Sequence, residues 1–120
     1  MVKIRMGLVS NSSSSSFIVT FPHDPKNEED VFDMMFPGKD REDHYTIYDY
    51  VTHLGVISQQ VWQDIQEHRI KNRKPNFKYK LAEGETKYYF HYSDNDGELG
   101  TIMEHGDIFS NLERERESHH

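Results

Sequence analysis

A chain of 120 residues with a formal net charge of −7 is sized for a single core, and its acidity disfavours indiscriminate nucleic-acid binding, in which Lys and Arg neutralise phosphates. The absence of cysteine excludes disulfides, thiolate metal sites and thiol redox chemistry. Hydrophobic residues make up 34% of the chain, with seven Phe, seven Tyr and one Trp to fill a core; no apolar run approaches the roughly 18 residues of a membrane span, and a soluble, cytoplasmic protein without a secretory signal is expected.

Lys3 to Val9 alternates Ile4, Met6 and Leu8 with Lys3, Arg5 and Gly7, the period of a half-buried strand. Phe17 to Phe21 is β-branched and aromatic throughout, which fits a strand covered on both faces. Between them Ser10, Asn11, Ser12, Ser13, Ser14, Ser15 and Ser16 read as a polar loop joining the two strands. Seven small hydroxyl or amide residues can present backbone N–H groups as a phosphate nest, although a flexible connection has the same composition.

Asn27, then Glu28, Glu29 and Asp30, then Val31, Phe32, Met34, Met35 and Phe36 have the cap, acidic first turn and apolar content of a short helix that stops before Pro37-Gly38. Pro37 to Asp43 reads as a charged loop. Ile47, Tyr50, Val51 and Leu54 fall at i, i+3, i+4 and i+7, with Thr46 and Asp49 at capping-box spacing and Gly55 following, so a helix is expected over about 47–54. Ser58 can cap a second helix that carries Val61, Trp62 and Ile65 and ends near Asn72.

In the last third, Phe77, Tyr79 and Leu81 alternate with lysines, Thr86 to Ser93 forms a second strand, and Asp94-Asn95-Asp96-Gly97 supplies a tight turn into a third strand from Glu98 to His105. In that register Tyr88, Phe90 and Tyr92 share a core face with Leu99, Thr101, Met103 and His105. The expected fold is α+β, a small antiparallel sheet of about five strands (an N-terminal strand pair plus a C-terminal three-stranded meander) with about three helices. Residues 1–110 make up the single domain and 111–120 a charged flexible tail.

Three sets of residues are candidates for function. The serine stretch is a ligand loop. The segment YDYVTHLGVISQQVWQDI has the outline of a helix-turn-helix, with Gln59, Gln60 and Gln63 aimed at base edges and Arg69, Lys71, Arg73 and Lys74 at phosphates. Two packed helices joined by a turn share that outline, and Asp64 and Glu67 would oppose phosphates. Six of the fourteen basic residues lie between Arg69 and Lys80 with no acid among them, a basic face for nucleic acid or for an acidic protein.

The third set is His91, Glu98 and Glu104, on the polar face of the expected 91–107 hairpin, as metal ligands for a hydrolase, with Asp94, Asp96, Asp107 and His105 nearby. An EF-hand is excluded, since Gly97 as sixth loop position would make Tyr92 the first and Met103 the twelfth. Turn chemistry alone accounts for Asp94 to Gly97. With no nucleophile elbow, P-loop or dinucleotide fingerprint, no catalytic residue is identified and no cofactor is implied. If the serine stretch and the Asp94–Gly97 turn meet in one concavity they form a shared site; at opposite ends they do not.

The residues KIRMGLVSNSSSSSFIV resemble the amino-terminal signature of small uncharacterised proteins of tailed bacteriophages and prophages, with Leu8 where that signature has an aromatic. YSDNDGELGTIMEHGD resembles the carboxy-terminal part of some of them. The resemblance implies expression in the cytoplasm of a bacterial host, where small acidic phage proteins act by binding host factors. The expected function is thus a non-enzymatic binding module for a host protein or a phosphorylated small ligand. Nucleic-acid binding through 47–70 and the basic segment 69–80 is the alternative, and metal-dependent hydrolysis a second.

Overall fold

A computed structural model describes residues 13–70 and 86–119. Within them the fold is α+β as expected, with five strands in antiparallel sheets and three helices. The order is β1 (Ser14–Phe21), α1 (Glu28–Met35), β2 (His44–Ile47), β3 (Tyr50–His53), α2 (Leu54–Ile70), β4 (Thr86–Ser93), α3 (Gly97–His105) and β5 (Glu113–His119). One sheet has the order β4-β1-β5, and β2-β3 is a separate hairpin.

Strand β1 lies at the centre of its sheet because its inward residues are the most apolar of the three strands. Phe17, Val19 and Phe21 are buried and stand opposite Phe90, Tyr88 and Thr86 of β4, so Tyr88, Phe90 and Tyr92 face the core as their alternation predicts. Phe109, after α3, stacks on Phe90 with ring centroids 5.0 Å apart and meets Phe17 at 5.6 Å. Helix α1 forms where its cap predicts, the Asn27 side chain accepting the Asp30 N–H at 2.8 Å. It packs against α2, whose buried Leu54, Ile57, Val61 and Ile65 form one stripe.

Five expected readings are corrected. The residues of the expected 47–54 helix fall in the hairpin β2-β3, which turns at Tyr48-Asp49, and at Leu54, which opens α2. The four apolar residues of that segment fit a helical period, but its Tyr, Thr, Val and Ile content favours a pleated surface, and Tyr45, Ile47 and Tyr50 lie on the core as alternate strand residues. Helix α2 begins at Leu54, where the backbone carbonyls of Asp43 and Arg41 accept the Leu54 and Gly55 N–H groups at 2.9 and 3.0 Å. Ser58 is therefore an interior residue of α2.

The expected third strand of the meander is helix α3, entered through a 3-10 turn at Asp94–Asp96 in place of a hairpin turn. Gly100 to Glu104 are all buried, so burial on every side hides the helical period in the sequence. Gly100 permits this packing, because a Cβ there would lie 2.4 Å from the Ser93 carbonyl oxygen. The expected tail forms β5, paired along β1 from Thr20↔Glu113 to Ser14↔His119; its alternating charges suit an edge strand. Ser14, Ser15 and Ser16 belong to β1 and not to a loop.

The strands expected at 3–9 and 77–81 lie outside the described residues, as do Ser10, Asn11, Ser12, Lys71, Arg73 and Lys74. Among the described residues no helix is long and apolar enough to cross a membrane.

Candidate functional site

Antiparallel pairing sets Ser14 opposite Ser93, so the residue before β1 must meet the residue after β4. Ser13 and Asp94 are joined in both directions there. The Ser13 N–H donates to Asp94 Oδ1 and Oδ2 at 3.1 and 3.3 Å, and the Asp94 N–H donates to the Ser13 carbonyl at 3.3 Å. Helix α3 then runs back beneath this sheet end and inserts Glu104, which is wholly buried at 0% exposure.

The Ser13 hydroxyl lies 2.8 and 3.1 Å from the two Glu104 oxygens, 3.3 Å from Asp94 Oδ2 and 3.1 Å from His105 Nε2. Glu104 also accepts from the Ser15 hydroxyl at 3.3 Å and the Asp94 N–H at 3.2 Å, and its Oε1 is 3.2 Å from His105 Nε2. A hydroxyl carries one proton, whereas two carboxylates offer about eight lone-pair sites. Among the described residues His105 is the one cation-capable side chain in direct contact with either carboxylate; Arg116 stops one hydroxyl away, donating to Ser15 Oγ at 3.0 and 3.2 Å. A buried carboxylate needs compensating charge or donors; Glu104 has donors from hydroxyls, an N–H and the imidazole, and no Lys or Arg in contact among the described residues.

One side of the cluster opens into a cavity of about 610 Å³ lined by Ser13, Asp94, Thr101 and His105 and, from the β2-β3 turn, by Tyr48, Asp49 and Tyr50. Ser13 and Asp94 thus line one concavity. Ligand atoms of Asp94, Glu104 and His105 lie within 4.8 Å of one another. A six-coordinate hard cation with bonds of about 2.1 Å places neighbouring ligands about 3.0 Å apart and opposite ones about 4.2 Å apart. The Ser13 hydrogen-bond distances of 2.8 to 3.3 Å also equal the spacing of neighbouring ligands on such an ion.

A serine-nucleophile relay does not fit. Ser13 and Glu104 both meet Nε2 of His105, whereas a relay holds the acid on the opposite ring nitrogen.

Of the expected metal set, only Glu104 enters this site. Glu98 is exposed on the first turn of α3 and, six residues before Glu104 on a helix, points about 120° away from it. His91 alternates to the other side of β4, with its Nδ1 3.1 Å from Ser16 Oγ. Asp94 and His105 take their places. Of the serines, Ser13 and Ser15 point inward, while Ser14 and Ser16 alternate to the opposite face.

The helix-turn-helix outline is corrected with its first helix, which is a hairpin. Gln59 and Gln63 are exposed on α2, and Gln60 donates to Asp64 Oδ1 at 3.1 Å. Arg69 is engaged by Asp24 at 2.6 Å and by Tyr88 Oη at 3.2 Å. Asp64 lines a second cavity of about 220 Å³ with Gln60, Tyr92 and Met103. The Tyr92 hydroxyl donates to Asp64 Oδ2 at 2.7 Å. Burial pushes the Asp64 carboxyl above its usual range despite bonds from Tyr92 and Gln60, and burial together with the Asp64 charge pushes the Tyr92 hydroxyl well up.

No protein-family model matches the chain, and comparisons with curated proteins and with solved structures give no match either.

Proposed function

We propose that this chain is a small binding module for a phosphorylated small ligand, which it holds through a divalent cation on Asp94, Glu104, His105 and the Ser13 hydroxyl. The observation that carries the reading is the convergence of two carboxylates and an imidazole on one hydroxyl, with the wholly buried Glu104 unmatched by Lys or Arg among the described residues. An acidic cavity repels a bare phosphate. A hard cation held by one or two carboxylates, by contrast, completes its shell with water and phosphate oxygens. From the serine stretch, Ser13 then contributes a ligand and Ser15 supports Glu104.

The two carboxylates suit Mn²⁺, and calorimetric titration of the full chain with Mn²⁺ tests the reading. One site is expected, weakened at least about tenfold by Glu104→Gln or Asp94→Asn. No binding at millimolar Mn²⁺ overturns it. Metal-dependent hydrolysis is the second reading, favoured by the cavity beside His105 that leaves space for a bound water; release of inorganic phosphate from the bound ligand distinguishes it from binding alone. A phage-type accessory role draws its support from the resemblance of two sequence stretches alone, KIRMGLVSNSSSSSFIV and YSDNDGELGTIMEHGD.

A further inference from the structure

Tyr48 occupies the first position of the two-residue turn between Ile47 and Tyr50 with φ of 55°. Bulky side chains rarely adopt that conformation, and such turns select Gly or Asn there. Nothing within the fold compensates through burial, since Tyr48 is 70% exposed, the highest value among the exposed large hydrophobic residues described. The left-handed backbone instead sets its ring at the cavity wall, 5.8 Å from the His105 ring and steeply inclined to it at 65°. A strained, exposed aromatic thus stands beside an imidazole assigned to the cation.

From this arrangement we infer that Tyr48 is a stacking platform and that the ligand of the cavity is a mononucleotide, its phosphates on the cation and its base on the Tyr48 ring. The inference rests on the cation reading above. A flat π-face is what an exposed aromatic recognises, and every base has one. The acidic wall at Asp49 and Asp94 and the net charge of −7 oppose a polyanion and admit a short phosphate whose charge the cation neutralises.

Calorimetry of the Mn²⁺-loaded full chain with ADP, pyrophosphate and a ten-residue oligodeoxynucleotide tests it. ADP is expected to bind about 5- to 150-fold tighter than pyrophosphate, the worth of one base stack. Tyr48→Gly should erase that preference, leave Mn²⁺ and pyrophosphate binding unchanged and raise Tm by relieving the turn; Tyr48→Phe should keep the preference. Equal affinity for ADP and pyrophosphate, unchanged ADP affinity in Tyr48→Gly, or tighter binding of the oligonucleotide overturns the inference. Discrimination of ADP by Tyr48 in a chain that binds no Mn²⁺ overturns the cation reading and leaves the platform standing.

Discussion

Glu28 and Glu104 both tie a helix to its neighbours through a carboxylate, and they differ in what answers the charge. Glu28, at the start of α1, accepts from Arg41 through both guanidinium nitrogens, one at 2.8 Å, and from the Ser58 hydroxyl of α2 at 2.8 Å. Arg41 in turn lies over the Phe32 ring at 5.1 Å. Burial pushes the Glu28 carboxyl up, but the bonds from Arg41 and Ser58 and the charge of Arg41 outweigh it, and the group sits below its usual range. Its charge is matched within the protein, so it is a clasp. Glu104 meets two hydroxyls, one N–H and an imidazole, beside a second carboxylate and with no Lys or Arg in contact among the described residues, and that contrast is what the proposed cation site rests on.

The largest expected effect breaks the Glu104 side of the comparison. Glu104→Ala leaves the Ser13 and Ser15 hydroxyls and the Asp94 N–H without their acceptor and opens a cavity, and chemical denaturation should report a loss of about 2–4 kcal/mol. Glu104→Gln keeps the volume and should cost less than Glu104→Ala while still removing cation binding. If both variants bind Mn²⁺ like wild type, Glu104 is a clasp like Glu28. Tyr92→Phe removes the buried bond to Asp64 and should cost about 1 kcal/mol by the same measurement. Arg41→Ala acts on an exposed pair and should cost under about 1 kcal/mol, shrinking further in high salt.

The smallest effects are in pH dependence, where two carboxylates carry opposite signs. The Glu28 group has a folded value below the unfolded 4.5, so its contribution is present above about 4.5 and is lost as pH falls through the folded value; Glu28→Gln should flatten the acid limb of a stability profile. Asp64 has a folded value above the unfolded 3.8, so its contribution is complete below that value and is lost as pH rises through the folded one. Asp64→Asn should therefore gain on wild type as pH increases from 3.8. Parallel profiles for either variant and wild type would refute the corresponding assignment.

How much of this was legible depends on how local each signal was. The α1 cap and acidic first turn, the strand character of Phe17 to Phe21 and the inward alternation of β4 are short-range patterns and fold as they read, whereas β1 alternates between buried and part-exposed residues from Ser14 to Val19 where cover on both faces was expected. The hairpin at 44–53 was hidden because four apolar residues satisfied a helical period by coincidence while their β-branched and aromatic character pointed to a strand. Helix α3 was hidden by burial all round, and β5 by a composition that matches a solvated tail until β1 offers it an unpaired edge. Ser13 and Glu104 stood in two separate candidate sets, with Asp94 and His105 among nearby acids and histidines that spacing could not rank.

Composition alone excluded thiol chemistry and disulfides, and periodicity, residue type and capping determined the α+β class, α1, the body of α2, the strand at Phe17 to Phe21 and the core face of β4, because those depend on neighbours a few residues apart. Only the tertiary structure brought Ser13 to Asp94 and Glu104, residues separated by 81 and 91 positions. Antiparallel register and the packing of α3 fix that meeting, and neither is encoded in any single stretch of the chain. The same holds for Tyr48, an ordinary aromatic in the sequence that the left-handed turn and the adjoining cavity single out.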